Sequence, residues 1–278
     1  MKKVLIILFS LFAFADAFAQ QATVFKMEYL PALTYTCIQT INSLTQINFT
    51  GDKAELDKLP VSRLPIVLQN KSKLIYMVKT GEPNFQKNFS GIVQYIYTSN
   101  KQLVNGTENE AIDSLKEKKF AGVFSNGTFG LDSAKNLQIA DSLKKFVAGT
   151  INSVKIVFPD KALKPGDTFT QDIPIQMPVS GNKVSFNTHI VYKLISIKNK
   201  GAFFDVTQTA AVKTHTEQGD VEINGNGEGH VFYDMQYRFF RAYQNTLNLK
   251  FTMQTGKLTM NGTSDILSVY ETQINKNQ

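Results

Sequence analysis

The chain has 278 residues, a formal net charge of +7, no tryptophan and a single cysteine, Cys37. One cysteine excludes a disulfide framework within the chain, and the length suffices for one large domain, or two intimately packed lobes, with a sizeable core. The positive excess is lysine scattered among acidic and polar residues, with Arg63, Arg238 and Arg241 as the only arginines, which argues against a nucleic-acid surface.

Lys2 and Lys3 precede a short apolar run over 4–14, and Ala17-Phe18-Ala19 forms a small-x-small site. This pattern predicts a secretory signal peptide over 1–19, cleaved after Ala19. The run is too short to span a bilayer, and no later stretch is apolar for long enough. The mature chain is therefore expected to be exported, periplasmic or extracellular, and not membrane-spanning. Three regions follow: an N-terminal β region over 20–105, a helix-containing segment over 106–155, and a C-terminal antiparallel β meander over 156–278.

In chain order, 22–29 and 33–49 are rich in Thr, Ile, Val, Tyr and Phe and read as strands, with breaks near Leu30-Pro31 and Asn42-Ser43. In the second of these, Cys37 alternates with polar residues and reads as a packed thiol. A short helix is expected over 53–59. Strands resume over 73–79 and 92–98, followed by a loop over 100–109 and a short charged helix over 108–118. Asn126-Gly127 between two apolar runs signals a hairpin. The longest predicted helix covers 132–154. Asp132 or Ser133 caps it, and Ile139, Ala140, Leu143, Phe146, Val147, Ile151 and Val154 share one stripe. Gly149 is its weak point. After a turn-rich junction at 158–169, strands are expected near 168–176, 184–197, 202–215, 221–233, 239–255 and 258–274. Pro174 and Pro178 confine the first of these to a sheet edge.

The strand at 221–233 is unusual. Its odd positions, Val221, Ile223, Gly225, Gly227, Gly229, Val231 and Tyr233, form one apolar face interrupted by three consecutive glycines. Such a run marks close approach by a backbone or a ligand. From Gly225 to Gly229 it spans about 13 Å, against about 10–12 Å for a helix with its side chains. The predicted helix is thus one candidate occupant, and a long apolar ligand is the other. Gly225, Gly227, Gly229, Val231 and Tyr233 are the ligand-groove candidates.

Residues for chemistry are sparse. His189, His215 and His230 lie in predicted strands near several carboxylates, but without metal-ligand spacing, so no metal or cofactor is expected. There is no Gly-x-Ser-x-Gly elbow, and Gly225-x-Gly-x-Gly229 continues into a strand rather than the helix a dinucleotide loop needs. The cluster Phe232, Tyr233, Tyr237, Phe239, Phe240 and Tyr243 reads as core packing at a strand corner, or as the mouth of an apolar pocket.

Phe158-Pro-Asp-Lys-Ala-Leu-Lys-Pro-Gly-Asp-Thr-Phe169, Val191-Tyr-Lys-Leu-Ile-Ser-Ile197, Ala202-Phe-Phe-Asp-Val206 and Gly225-x-Gly-x-Gly229 resemble, in order and spacing, a family of secreted, β-rich bacterial envelope proteins. The likeness is clearest over 156–235. It implies compartment and fold, and transfers no functional residue. The architecture also resembles the curved, helix-filled half-barrels of envelope lipid carriers, a fold-level analogy.

The expected fold is mainly β: a large curved antiparallel sheet with one or two helices on its concave face. The leading functional reading is a non-enzymatic binding protein for an apolar or lipid ligand. A second is a structural or interaction module of the cell envelope, partnered by another envelope protein and holding no small molecule. A third is a hydrolase using His189, His215 or His230.

Overall fold

The computed structural model describes residues 22–59, 64–110, 115–132, 135–136, 139–153, 156–179, 182–216 and 219–277. Within them lie β1 (Leu33–Gly51), α1 (Lys53–Leu56), β2 (Ile66–Pro83), β3 (Phe89–Val104), β4 (Thr107–Glu110), β5 (Lys119–Ser125), β6 (Thr128–Leu131) and α2 (Asp141–Ser153). There follow β7 (Thr168–Val179), β8 (Asn182–Lys198), β9 (Gly201–Thr216), β10 (Gly219–Asp234), β11 (Phe239–Thr255) and β12 (Leu258–Lys276).

All twelve strands form one antiparallel sheet in the order β6-β5-β3-β2-β1-β12-β11-β10-β9-β8-β7, with β4 paired to β3. Two meanders are joined where the first and last long strands pair along their length, from Leu33 opposite Lys276 to Gly51 opposite Leu258. The edges, β6 and β7, are therefore consecutive in sequence, and the connection between them carries α2.

The sheet is strongly curled. Phe124 on β5 and Phe239 on β11 are five strand spacings apart, about 24 Å if the sheet were flat. Yet the Tyr29 ring lies 5.0 Å from Phe124 and 4.9 Å from Phe239, so one side chain bridges both. Strand alternation supplies the apolar lining. On β10 the odd residues Val221, Ile223, Val231 and Tyr233 are buried, and the even residues between Asp220 and His230 are exposed. The concave face so formed carries two apolar clusters. One surrounds Tyr29, Tyr35, Phe124, Phe204 and Tyr233. The other surrounds Phe186, Ile223, Leu249, Phe251 and Met253.

The segment before β1 differs from expectation. Residues 22–29 show the alternation of a strand, with Phe25, Met27 and Tyr29 buried, but form no ladder: Thr23 makes an isolated bridge to Leu163, and the Glu28 N–H donates to the Arg238 carbonyl at 3.2 Å. The segment crosses the open side of the curled sheet as a plug, and its side chains take the place of a ladder. Phe25 packs against Phe158, Phe204 and Tyr233 at 5.3–5.5 Å. The Tyr233 hydroxyl donates to the Lys26 carbonyl at 2.7 Å, and the Leu30 N–H donates to the Tyr35 hydroxyl at 2.7 Å.

Glu28 adds an electrostatic tether. Burial on its own would raise its pKa, but hydrogen bonds and charges from Lys26 (2.6 Å) and Arg238 (2.7 Å) outweigh it and hold the carboxyl below the usual range. A lowered folded pKa contributes stability above the unfolded value, lost as pH falls through the folded one. Glu28→Gln is therefore expected to lower the thermal midpoint at pH 7, with the gap to wild type closing as pH is taken below about 4, checked by calorimetry across that range.

Several other expectations are corrected. β1 runs unbroken through Asn42-Ser43, because both flanking strands hydrogen-bond it there. The expected loop at 100–109 is the β3–β4 hairpin, turned at Asn105-Gly106 with φ of 49° and 87°. That Asn-Gly pair is the same signal as Asn126-Gly127, which does turn the β5–β6 hairpin. Of the charged helix expected over 108–118, residues 111–114 lie outside the described ones; of the rest, Thr107–Glu110 is strand and 115–117 form a turn.

α1 is shorter than expected. So is α2, which begins at Asp141 rather than Asp132. The Asn136 amide donates to the Ala121 and Asp132 carbonyls (2.8 and 2.5 Å), a side-chain competition that accompanies a turn rather than a helix at 135–136; Ser133 and residues 134, 137 and 138 lie outside the described residues. Val154 lies outside the described residues. α2 docks on the short edge strand β6, with Val147 and Ile151 buried. The Asn152 amide pairs with the Phe129 backbone in both directions, at 3.0 and 3.1 Å, so a side chain completes the sheet edge. The other edge, β7, carries Pro174 and Pro178 as the sequence implies.

Candidate functional site

A cavity of about 740 Å³ lies between α2 and the concave face. Phe146, Gly149 and Thr150 of α2 form one wall. Leu74, Ile156, Ile173, Ile190, Leu247 and Ile266 supply aliphatic surface, and Tyr192, Phe240, Tyr243 and Tyr270 an aromatic side. Its polar groups are the neutral side chains of Gln39, Thr188, Gln208, Asn245 and Ser268. No charged residue is among these. Burial pushes the Tyr192 hydroxyl up to about 12 and raises those of Tyr243 and Tyr270. The tyrosines therefore stay neutral, and the described lining residues are uncharged at physiological pH.

The polar residues are ordered. On strand after strand, the inward face crosses from one apolar cluster to the other over one polar position or, on β10, three glycines. On β8, Thr188 separates Phe186 from Ile190; on β9, Gln208 separates Val206 from Ala210. On β10 the three glycines separate Ile223 from Val231. On β11, Asn245 separates Tyr243 from Leu247, and on β12, Ser268 separates Ile266 from Tyr270. Gln39 continues this line on β1, donating to the Tyr270 hydroxyl at 3.1 Å. A polar belt thus runs across a hydrophobic trough.

The glycine run is part of that belt, and its occupant is not the helix. A Cβ on Gly227 would strike the Thr246 carbonyl oxygen of β11 and lie 2.6 Å from Gln208 Nε2. One on Gly229 would strike the Gln244 carbonyl and lie 2.7 Å from Asn245 Cβ, and one on Gly225 would meet Leu249 and the Asn248 carbonyl. The gap is closed by the neighbouring strands. β11 approaches closely, and the Gln208 side chain lies over Gly227 to donate to the Thr246 carbonyl at 2.7 Å. The expectation that α2 fills the glycine gap is therefore overturned. The helix instead faces Gln208, Asn245 and Leu247 across the cavity.

Of the groove candidates, Val231 and Tyr233 are buried in the first apolar cluster, and Gly227 and Gly229 sit beneath Gln208 and Asn245. Gly225 borders a shallower hollow with Ala210, Asn248 and Leu249. The lining residues Thr188, Gln208, Asn245 and Ser268 were not singled out in the sequence. Their signal was present: one polar residue at an inward position of an otherwise apolar face.

The histidines stand elsewhere, on the outer face. His189, His215 and His230 each face an aspartate on the adjacent strand: Asp172 at 2.8 Å, Asp220 at 2.7 Å and Asp205 at 2.9 Å. All three are exposed cross-strand pairs, and none borders the cavity. Among the described residues no three His, Cys, Asp or Glu side chains gather as metal ligands. Cys37 is buried, and burial raises its thiol to about 11, a packed rather than reactive group. In the aromatic cluster, Tyr233, Phe239 and Phe240 are core, with Phe240 and Tyr243 also walling the cavity, while Phe232 stacks on Phe203 outside.

No protein-family model and no curated protein matches the chain. Among solved structures, it is similar to lipovitellin, from a study of lipid–protein interactions, with 9% identity and a TM-score of 0.49, over 90% of this chain and 26% of that one. The chain thus spans about a quarter of the lipovitellin chain. It is also similar to the Pseudomonas aeruginosa proteins OccK11 (6% identity, TM-score 0.26, 90% of this chain and 98% of that one) and OpdQ (7%, 0.23, 87% and 99%). Likenesses at this level carry no functional argument. No helix among the described residues is long and apolar enough to cross a membrane.

Proposed function

We propose that this is a non-enzymatic binding protein that holds an apolar or lipid ligand in the cavity between α2 and the sheet, and that it acts after export from the cytoplasm. The observation that carries the reading is the cavity itself: about 740 Å³, walled by aliphatic and aromatic side chains with a few neutral polar groups and, among the described residues, no charged one. Ligand pockets of this size and make-up are the usual sites for small apolar molecules. Export rests on the basic and apolar N-terminus with its small-x-small site.

Gly149 offers a direct test. It lies on the cavity wall, and a Cβ there would meet nothing within 4 Å. Gly149→Phe should therefore fold, with helix propensity gaining a few tenths of a kcal/mol, while its ring adds bulk at the cavity wall. The neutral fluorophore N-phenyl-1-naphthylamine is expected to bind wild type and to lose at least about tenfold in affinity with the variant, at an unchanged or raised thermal midpoint. A folded variant that binds as wild type does would overturn the reading. A second reading, an envelope structural module, draws on the glycine gap being filled by the chain's own strands. It predicts that neither protein binds the probe.

A further inference from the structure

The polar belt has a direction, set by a relay of amides. The Thr246 carbonyl can only accept, so the Gln208 group that meets it at 2.7 Å must be the amide N–H. The Gln208 oxygen then faces Asn245 and accepts from its Nδ2 at 3.4 Å. This fixes which end of the Asn245 amide remains: Oδ1, a buried acceptor with no partner among the described residues. Thr188, 1% exposed, likewise has a buried hydroxyl without a partner. Both residues border the cavity. A buried polar atom left unpaired is costly, and native proteins keep few of them. Both atoms are covered by neighbouring side chains, so an occupant reaches them by displacing that cover; two in one cavity wall, one of them fixed as an acceptor by its neighbours, define what the occupant must bring.

From this we infer that the ligand is an uncharged amphipathic lipid whose polar group is a hydrogen-bond donor, a hydroxyl or an amide N–H, set against the belt. The inference rests on the binding function proposed above and narrows its ligand class. The Asn245 oxygen accepts the ligand's hydrogen, and the apolar clusters on either side of the belt take the hydrocarbon. A carboxylate or phosphate headgroup would find no cation among the described lining residues to pair it, and would oppose the Asn245 oxygen with a second acceptor. An ether or hydrocarbon would leave that oxygen unpaired.

Three ten-carbon probes separate these cases: 1-decanol, decyl methyl ether and decanoate, each competing with N-phenyl-1-naphthylamine at pH 8. Decanol is expected to displace the fluorophore about tenfold more tightly than either of the others. Thr188→Val and Asn245→Leu should weaken decanol severalfold and leave the ether unchanged. Equal displacement by decanol and the ether, or tightest binding of decanoate, would overturn the donor inference while leaving the apolar-ligand reading standing. Failure of the fluorophore and all three probes to bind folded protein would bring down that reading, and the inference with it. Should either variant fail to fold, the three probes on wild type still decide.

Discussion

Tyr29→Ala is expected to lower the unfolding free energy by about 3–5 kcal/mol, the range for removing a large buried aromatic. Tyr29 is 3% exposed, and its ring touches Tyr35 on β1, Phe124 on β5 and Phe239 on β11 at 4.8–5.0 Å. These strands belong to both halves of the sheet. The ring therefore does more than fill volume: it holds together surfaces that the curl has brought face to face. Its loss opens a void that no single strand can close by relaxing, which places the cost toward the upper end. Denaturant unfolding measures this directly. Phe85→Ala, at a fully exposed aromatic, should move the midpoint little. A Tyr29→Ala loss no larger than that control would mean that the plug segment does not bind the two halves together.

Gly227→Val is expected to cost about 3 kcal/mol or more, from overpacking together with a lost buried hydrogen bond. The added Cβ meets the Thr246 carbonyl, which is backbone and cannot swing aside, and the Gln208 amide that lies over the glycine. Two consequences follow, and they can be read separately. Stability falls because β10 and β11 must part. The belt is also disturbed, because Gln208 can no longer donate to the Thr246 carbonyl and orient Asn245. Gly130→Ala is the matched control on β6, where the nearest atom to an added Cβ is the Val123 carbonyl at 3.9 Å, an ordinary contact. A thermal shift for Gly227→Val as small as the control's would show that the glycine gap is not closed in the way described.

These two positions show what could be read along the chain. The alternation around the glycines correctly separated an inward face, Val221 to Tyr233, from an outward one, Glu222 to His230. The gap was legible as a gap. Its occupant was not, because a helix width and a strand approach fit the same spacing. Gln208 reaches Gly227 only because β9 and β10 pair in the register that sets them opposite each other. Asn245 faces Gly229 only after the irregularity at Phe232/Tyr233 has shifted the β10–β11 ladder. Register depends on turns and bulges that single residues do not announce. The polar belt was missed for the same reason: Thr188, Gln208, Asn245 and Ser268 are far apart in sequence, and each alone is an unremarkable interruption of an apolar face.

By itself the sequence determined the local features: which residues point inward, the Asn-Gly turn at 126–127, the proline-bearing edge at β7, and, of the predicted helix stripe, Val147 and Ile151, which dock α2 while Phe146 stays 47% exposed. Those depend on period, φ preference and missing N–H groups, which act over a few residues. Only the tertiary structure decided that β1 pairs with β12, that the two edges are bridged by the segment bearing α2, and that a neutral cavity remains beneath the helix. Each of these needs contacts between distant parts of the chain. There, competition for the same buried surface chose the 22–32 segment as the plug and Gln208, rather than the helix, as the occupant of the glycine gap.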